Sequence, residues 1–345
     1  MGAGADFADL AEDMAAQIHV KRDLSIEVYR CLLMFGICLL HAITMGGHHT
    51  SKWLSAPLLM CVDGFVFISG YYGIKFKPAK LLGLYFTGLI CCFIAVGLTW
   101  WKFPCLKTGG STYLSAVWNM FSRSCWFLHA YAFLMFLAPL ANLVVEIDKR
   151  HLQQIVTPLL ILCFGWSYFI QMPVVRRYPM PSTPGLGEYS GVTLLGIYIV
   201  ARLFRRFEID AKVSGRVLVV IAIPSLCFSW LGFAAYNCVF TLALAIVAFC
   251  LFKRWHPTKC MISFLSPICT FLGPSLFPIY LIHSHRMTSI WLQRIEDVLL
   301  QHVSFGVEFL TAVVIFGGCL ILDMPRRLIV YLFRRLRDNY FTERQ

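Results

Sequence analysis

The chain has 345 residues, of which 59% are apolar, 15% aromatic and only 14% charged. This composition leaves too little polar surface to coat a soluble globule of that size, so it excludes an ordinary soluble domain and predicts a membrane protein. The formal net charge of +12 is explained by contact with the inner membrane leaflet, and we expect no nucleic-acid partner.

Successive apolar runs predict an all-α polytopic membrane protein with about ten transmembrane helices, since a span needs about 17–25 mainly apolar residues. The predicted spans are 26–45, 54–74, 82–101, 125–145, 152–170, 189–204, 216–232, 234–252, 267–284 and 305–323. Most of the 30 Lys and Arg residues fall on the inner side if the N-terminus is inside. The positive-inside rule therefore predicts that both termini are cytoplasmic, as in a multi-pass protein of the cell membrane.

Three parts follow from this topology: a cytoplasmic N-terminal segment (1–25), a membrane domain (26–325) and a basic cytoplasmic tail (326–345). We expect the tail to lie against the inner headgroups. No cleavable signal peptide is recognised at the start, because that segment carries acidic residues and no apolar core. The segment RMTSIWLQRIEDVLLQ has apolar residues at helical spacing, which predicts an amphipathic helix along the outer interface.

Arg30 and His41 are the most informative residues of the first span, SIEVYRCLLMFGICLLHAITMGG. Eleven helical steps place their side chains within roughly 20° of one another and about 16 Å apart along the axis. Ionisable groups in an apolar span usually face a polar interior. Alternatively, Arg30 is an inner anchor that pairs with Glu27.

Three later spans carry further polar or aromatic candidates. Asp63, in the second span, can hold the His41 imidazole in one tautomer, or can make a simple interhelical hydrogen bond. Trp126 and Tyr131, in the fourth span, can contact an acceptor or form an interfacial aromatic belt. His283, near the outer end of the ninth span, can border an acceptor site.

The spacing of Arg30 and His41 resembles the R-x10-H motif of the type 3 acyltransferase family, which are membrane enzymes that acylate hydroxyls of surface polysaccharides. Six segments in the same order extend the resemblance over most of the chain. They are SIEVYR, DGFVFISGYY, CWFLHAYAFLMFLAPLAN, LLGIYIVARLFRR, IYLIHSH and ILDMPRR.

The resemblance implies an O-acyltransferase that moves an acetyl or other acyl group from cytoplasmic acyl-coenzyme A to a hydroxyl of a glycan or glycolipid. Such transfer needs a base, which His41 can supply, and Arg30 can bind the donor because its guanidinium offers a charged fork of donors. In this scheme acyl-coenzyme A is a substrate and no cofactor is bound. Membrane lipids surround the protein, and polysaccharide-assembly proteins are candidate partners.

Other function classes stay open. A secondary transporter or flippase for a sugar-containing substrate would also show many spans and intramembrane charges, although the two halves show no clear match. A scaffold or receptor would give Arg30 and His41 no reason to share a face. The remaining histidines match no metal-ligand spacing, so no metal site is predicted. Most of the 14 cysteines lie in apolar runs, and no two of them form a CxxC motif. A disulfide is considered only between Cys105 and Cys125.

Overall fold

The computed structural model describes residues 23–46, 52–104, 112–166, 190–233, 238–284, 288–303 and 306–342, and within these ranges every regular element is a helix. The α-helices are α1 (Leu24–Met45), α2 (Lys52–Leu58), α3 (Met60–Tyr72), α4 (Pro78–Lys102), α5 (Tyr113–Ser124), α6 (Trp126–Glu146), α7 (Lys149–Leu160), α8 (Gly191–Phe207), α9 (Ile209–Lys212), α10 (Gly215–Phe228), α11 (Val239–Arg254), α12 (Lys259–Leu272), α13 (Leu276–His283), α14 (Ser289–Leu300) and α15 (Val307–Thr342). The predicted all-α class is confirmed.

Shorter helical turns join some of these helices. The π-helical segments Ile161–Trp166 and Ser229–Phe233 continue α7 and α10, and the 3₁₀ turn Gly273–Ser275 joins α12 to α13. A helix satisfies its own backbone hydrogen bonds, which is the reason an apolar chain in lipid adopts this structure.

Six stretches of the described chain are long and apolar enough to cross a membrane. They are Leu24–Met45, Trp53–Tyr72, Pro78–Lys102, Trp126–Glu146, Lys259–His283 and Val307–Leu332. The other four predicted spans coincide with the shorter helices α7, α8, α10 and α11. The chain is therefore a membrane protein, while the count of about ten spans and the cytoplasmic position of both termini remain predictions.

Close helix contacts at glycines place α1 in the middle of the structure. A Cβ at Gly64 of α3 would lie 2.8 Å from Leu33 and 2.9 Å from the Tyr29 hydroxyl, both on α1. A Cβ at Gly70 would lie 2.7 Å from Ala201 on α8. Small residues permit such approaches between membrane helices. As a result α3 packs between α1 and α8, and α1 is the most deeply buried of the six long apolar helices.

Two helices differ from the simple picture of apolar spans. The amphipathic segment after the ninth predicted span forms α14, whose Leu292 and Glu296 are fully buried while α14 packs against α15 and α1.

Helix α5 was not predicted, because it is short and amphipathic and an apolar-run criterion does not detect such a helix. Its start is capped by Thr112, whose hydroxyl accepts a hydrogen bond from the Ser115 backbone N–H at 3.2 Å.

The last helix does not stop at the predicted boundary between membrane domain and tail. Helix α15 runs unbroken from Val307 to Thr342, through Pro325. A proline inside a helix removes one backbone hydrogen bond but need not end a helix in the membrane, where neighbouring helices support the backbone. The described part of the tail therefore continues the last span as one unbroken helix, and helical structure does not end between residues 325 and 326.

Candidate active site

Two buried imidazoles meet between helices from opposite ends of the chain. His41 lies in the last turns of α1, and His283 is the last residue of α13. Their ring centroids are 4.9 Å apart, with an angle of 54° between the ring planes. Only 7% of His41 and 2% of His283 is exposed. The structure thus joins the predicted base and a predicted supporting residue into one pair.

The hydrogen bonding of His283 defines which of its nitrogens can accept a proton. Its Nδ1 atom lies 2.6 Å from the backbone oxygen of Ile279. A carbonyl oxygen only accepts, so Nδ1 donates this hydrogen bond and the neutral ring keeps its lone pair on Nε2. Nε2 of His283 and Nδ1 of His41 are both buried and have no hydrogen-bond partner in the described part of the chain. Buried polar atoms are normally hydrogen-bonded, so two such neighbours mark a place where a ligand can supply the missing contacts.

Cys38 is a thiol in contact with this pair, but the geometry does not activate it. Its Sγ atom lies 4.0 Å from His283 Nδ1, and the side chain is completely buried. Because Nδ1 already donates its proton to Ile279, this nitrogen has no lone pair to take the thiol proton. The contact is therefore one of packing.

A series of ring contacts leads from the two histidines toward the other end of α1. Tyr280 lies 6.4 Å from His283, Phe127 lies 5.6 Å from Tyr280, and Tyr131 stacks on Phe127 at 5.8 Å, all between ring centroids. Trp126 packs edge-on against Phe127 at 5.6 Å. The predicted residues Trp126, Tyr131 and His283 therefore belong to one aromatic ladder.

Arg30 lies at the far end of the aromatic ladder, close enough to Tyr131 for an electrostatic interaction. Its Nη1 atom donates to both carboxylate oxygens of Glu27 at 3.0 Å. The ion pair of the alternative interpretation is therefore present. It uses only Nη1: within the described ranges nothing hydrogen-bonds to Nε or Nη2 of Arg30, whose side chain is 29% exposed. Those donors can bind an anionic ligand while Glu27 holds the guanidinium in place.

Asp63 has a different partner from the predicted one. Its side chain is completely buried in the first turn of α3, and its Oδ2 atom accepts a hydrogen bond from Thr241 Oγ1 at 2.7 Å. No hydrogen bond joins Asp63 to His41, whose Nδ1 has no partner among the described residues. The structure does not bring Asp63 into hydrogen-bond contact with His41; Asp63 faces α11 and makes the interhelical bond of the alternative interpretation.

The other histidines and cysteines take no part in the pair. His129, near the start of α6, donates a hydrogen bond from Nε2 to the Phe121 backbone oxygen at 2.9 Å. The residues described contain no group of three or more His, Cys, Asp or Glu able to hold a metal. Cys125 is a free thiol 3.7 Å from Cys92 Sγ, whereas its proposed partner Cys105 lies outside the described residues.

Sequence reasoning missed Phe127 and Tyr280, which connect the predicted residues. Tyr280 lies three residues before His283, and so shares its helix face. That spacing was a usable signal. Nothing local in the sequence indicates that Phe127 meets Tyr280, since the contact depends on how α6 packs against α13.

Comparison with known families places the site residues within a family match. A family described as "Acyltransferase domain" matches residues 23–324, which include all the site residues named above. No curated protein and no solved structure matches the chain.

Proposed function

Because the chain belongs to the type 3 acyltransferase family, its acyltransferase activity is the premise from which we propose a specific reaction. We propose that the protein moves an acyl group, most simply acetyl, from cytoplasmic acyl-coenzyme A to a hydroxyl of a surface polysaccharide or glycolipid. The observation that carries this proposal is the buried His41–His283 pair, connected by the aromatic ladder to Arg30 at the other end of α1.

In this scheme the histidine pair receives the proton of the acceptor hydroxyl. The hydroxyl oxygen attacks the thioester carbonyl, an ester C–O bond forms, and the acyl C–S bond breaks. The proton passes by way of the imidazole to the departing coenzyme A thiolate, so no external acid is consumed. His41 is the proposed base. His283 supports it, because its lone pair on Nε2 can accept a hydrogen bond from the acceptor.

Arg30 is the proposed donor-binding residue. Coenzyme A is a polyanion, and the free Nε and Nη2 donors of a guanidinium suit its phosphates. The roughly 16 Å between Arg30 and His41 along α1 gives the pantetheine arm a path along Tyr131, Phe127 and Tyr280. These aromatic side chains would shelter the thioester from water.

Direct transfer is favoured over a covalent acyl-enzyme. The Cys38 thiol contacts the histidine pair, but the adjacent nitrogen of His283 cannot take its proton. A covalent route would need a nucleophile with a base beside it. Asp63, which the sequence predicts to be catalytic, has a positioning role in this scheme. Its hydrogen bond to Thr241 holds α3 against α11.

The experiment that tests the proposal measures free coenzyme A released from acetyl-coenzyme A by the purified protein, with and without a crude glycan extract. We expect release that depends on the extract, and an acetyl ester on a glycan product. The His41→Ala variant, isolated at the same folded fraction, should lose this release. Extract-dependent release by His41→Ala at the wild-type rate would contradict the role of His41. If well-folded wild type releases no coenzyme A, acetyl-coenzyme A is not its donor. That result would favour transport of a sugar-containing substrate.

A further inference from the structure

A second buried polar cluster lies between α13 and α15. We call it the Asp323 cluster; it consists of Ser275, Asp323 and Arg326. Asp323 and Ser275 are completely buried. The Ser275 hydroxyl donates to Asp323 Oδ2 at 2.7 Å, and Arg326 donates to both Asp323 oxygens at 2.5 and 2.8 Å. No part of the proposed reaction uses these residues.

The cluster holds the 3₁₀ turn Gly273–Ser275 in place. Besides the bond from Ser275 to Asp323, the turn receives a hydrogen bond from Arg326 Nη2 to the backbone oxygen of Pro274 at 3.2 Å. A buried carboxylate held by an arginine and a hydroxyl is stable only while its partners remain, since an uncompensated buried charge is strongly unfavourable. The cluster therefore ties the turn firmly to α15.

The same turn also faces Glu27, the carboxylate that binds Arg30. A methyl group at Gly273 would be 3.7 Å from Glu27 Oε2. Glu27 in turn accepts both hydrogen bonds from Arg30 Nη1. The turn is therefore a near neighbour of the carboxylate that holds the Arg30 guanidinium.

The turn also begins the helix that carries His283. Helix α13 starts at Leu276, directly after the turn, and ends at His283. Eight residues of α-helix span about 12 Å and form a rigid rod. The turn thus adjoins Glu27 at one end of the candidate site and begins the helix that carries His283 at the other.

We infer that Asp323 and Arg326 are positioning residues for this site: by fixing the Gly273–Ser275 turn, they hold Glu27 and Arg30 in the geometry that binds the anionic donor. The expected effect on the KM for the donor rests on the proposed function. The expected effect on the position of the turn does not. Neither residue touches the donor in this account.

The kinetic experiment compares Asp323→Asn with wild type and with Tyr113→Phe. The control removes a hydrogen bond from Tyr113 on α5 to the Phe93 backbone oxygen on α4, and neither residue belongs to the turn or to the Asp323 cluster. We expect Asp323→Asn to raise the KM for acyl-coenzyme A about tenfold, as loss of one charge-assisted hydrogen bond would do. Tyr113→Phe should leave this KM unchanged. A purely structural role would lower the yield of folded Asp323→Asn and leave the donor KM of the folded fraction at the wild-type value.

A double variant shows whether the effect passes through Arg30. Residues that act through one contact are not additive. In an Arg30→Ala background, Asp323→Asn should therefore cause no further increase in the donor KM. Additive increases would overturn the proposed route through Glu27 and Arg30. If Asp323→Asn does not fold, Ser275→Ala replaces it, since this milder change keeps the ion pair with Arg326.

A measurement without substrate separates this inference from the proposed function. The neighbouring thiols of Cys31 on α1 and Cys269 on α12 lie beside the turn, and copper phenanthroline oxidises nearby thiols to a disulfide. We expect the Cys31–Cys269 disulfide, followed by peptide mass spectrometry, to form several times more slowly in Asp323→Asn. The Cys92–Cys125 pair, 3.7 Å apart, serves as the internal reference. Equal Cys31–Cys269 rates in wild type and variant would overturn the inference, even if the wild type transfers no acyl group.

Discussion

His41 and His283 lie in direct ring contact, 4.9 Å between centroids, although one belongs to the first described helix and the other to the end of α13. The backbone oxygen of Ile279 fixes the tautomer of His283. The pair therefore presents a lone pair on His283 Nε2 inside a buried, aromatic surrounding. This arrangement explains how one site can accept a proton without exposing its base to water.

Replacement of His283 by Gln should lower kcat for acyl transfer about a hundredfold, because general bases and their immediate supports contribute effects of this size. The Gln side chain keeps most of the volume, so the packing against Tyr280 should survive. The measurement is the rate of coenzyme A release at saturating donor.

His129→Gln is the matched control for this change. His129 is likewise part of an aromatic cluster, and it hydrogen-bonds to the Phe121 backbone oxygen, but it belongs to no part of the candidate site. We expect it to retain kcat within a factor of about two while it loses some stability. Equal losses of kcat in both variants would mean that the effect comes from packing.

Arg30→Ala should raise the KM for acyl-coenzyme A by about tenfold or more and change kcat much less. Arg30→Lys should lie in between, because an ammonium keeps the charge but loses the planar fork of donors. Titration of the donor at constant acceptor measures both constants. If Arg30 is only an anchor paired with Glu27, the variants will insert less efficiently and the inserted protein will show the wild-type KM.

Asp63→Asn and Thr241→Val should each lower the stability of the folded protein by about 1.5–3 kcal/mol, since both disrupt a buried hydrogen bond to a carboxylate. The double variant should be less destabilised than the sum, because the two side chains form one contact. Thermal unfolding in detergent measures these differences. A large loss of kcat in Asp63→Asn but not in Thr241→Val would instead restore the predicted link to His41.

Asp23 should give the protein a small stability term that depends on pH. Partial burial raises the pKa of this carboxyl, but hydrogen bonds from Lys253 and Ser25 lower it more, so the pKa lies below its ordinary value of 3.8. Lys253 Nζ lies 2.6 Å from Asp23 Oδ2. A depressed pKa contributes stability that is complete above the ordinary value and disappears as the pH falls through the folded value.

The test is Asp23→Asn, followed by unfolding over an acidic pH series. At neutral pH the variant should be less stable by at most about 1 kcal/mol, because a partly exposed ion pair is screened by solvent. The difference should vanish once acid has protonated the wild-type carboxyl. A constant difference at every pH would show that Asp23 acts through packing or capping.

Helices were the most predictable part of the structure. Each apolar run contains a helix, because a chain in lipid has few other ways to satisfy its backbone. Arg30 and His41 were correctly placed on one unbroken helix, since their spacing depends only on helix geometry. Helix α5 escaped prediction because its apolar residues alternate with polar ones.

Contacts between helices were much less predictable. The neighbourhood of His41 and His283, the ladder through Phe127 and the partner of Asp63 all depend on which helix faces which. A single sequence contains little information on that choice, because one apolar surface packs against another with similar energy in lipid. Asp63 illustrates the point: its burial was predictable, whereas the choice of Thr241 required the position of α11.

The continuity of α15 has a mechanical consequence. Its 36 residues form a rod about 54 Å long, while the hydrocarbon layer is only about 30 Å thick. The rod must project from the bilayer, and it carries Asp323 within its length. Because α15 is continuous from Asp323 to Thr342, a spectroscopic label near residue 342 reports from outside the hydrocarbon layer on a helix whose buried part holds Asp323.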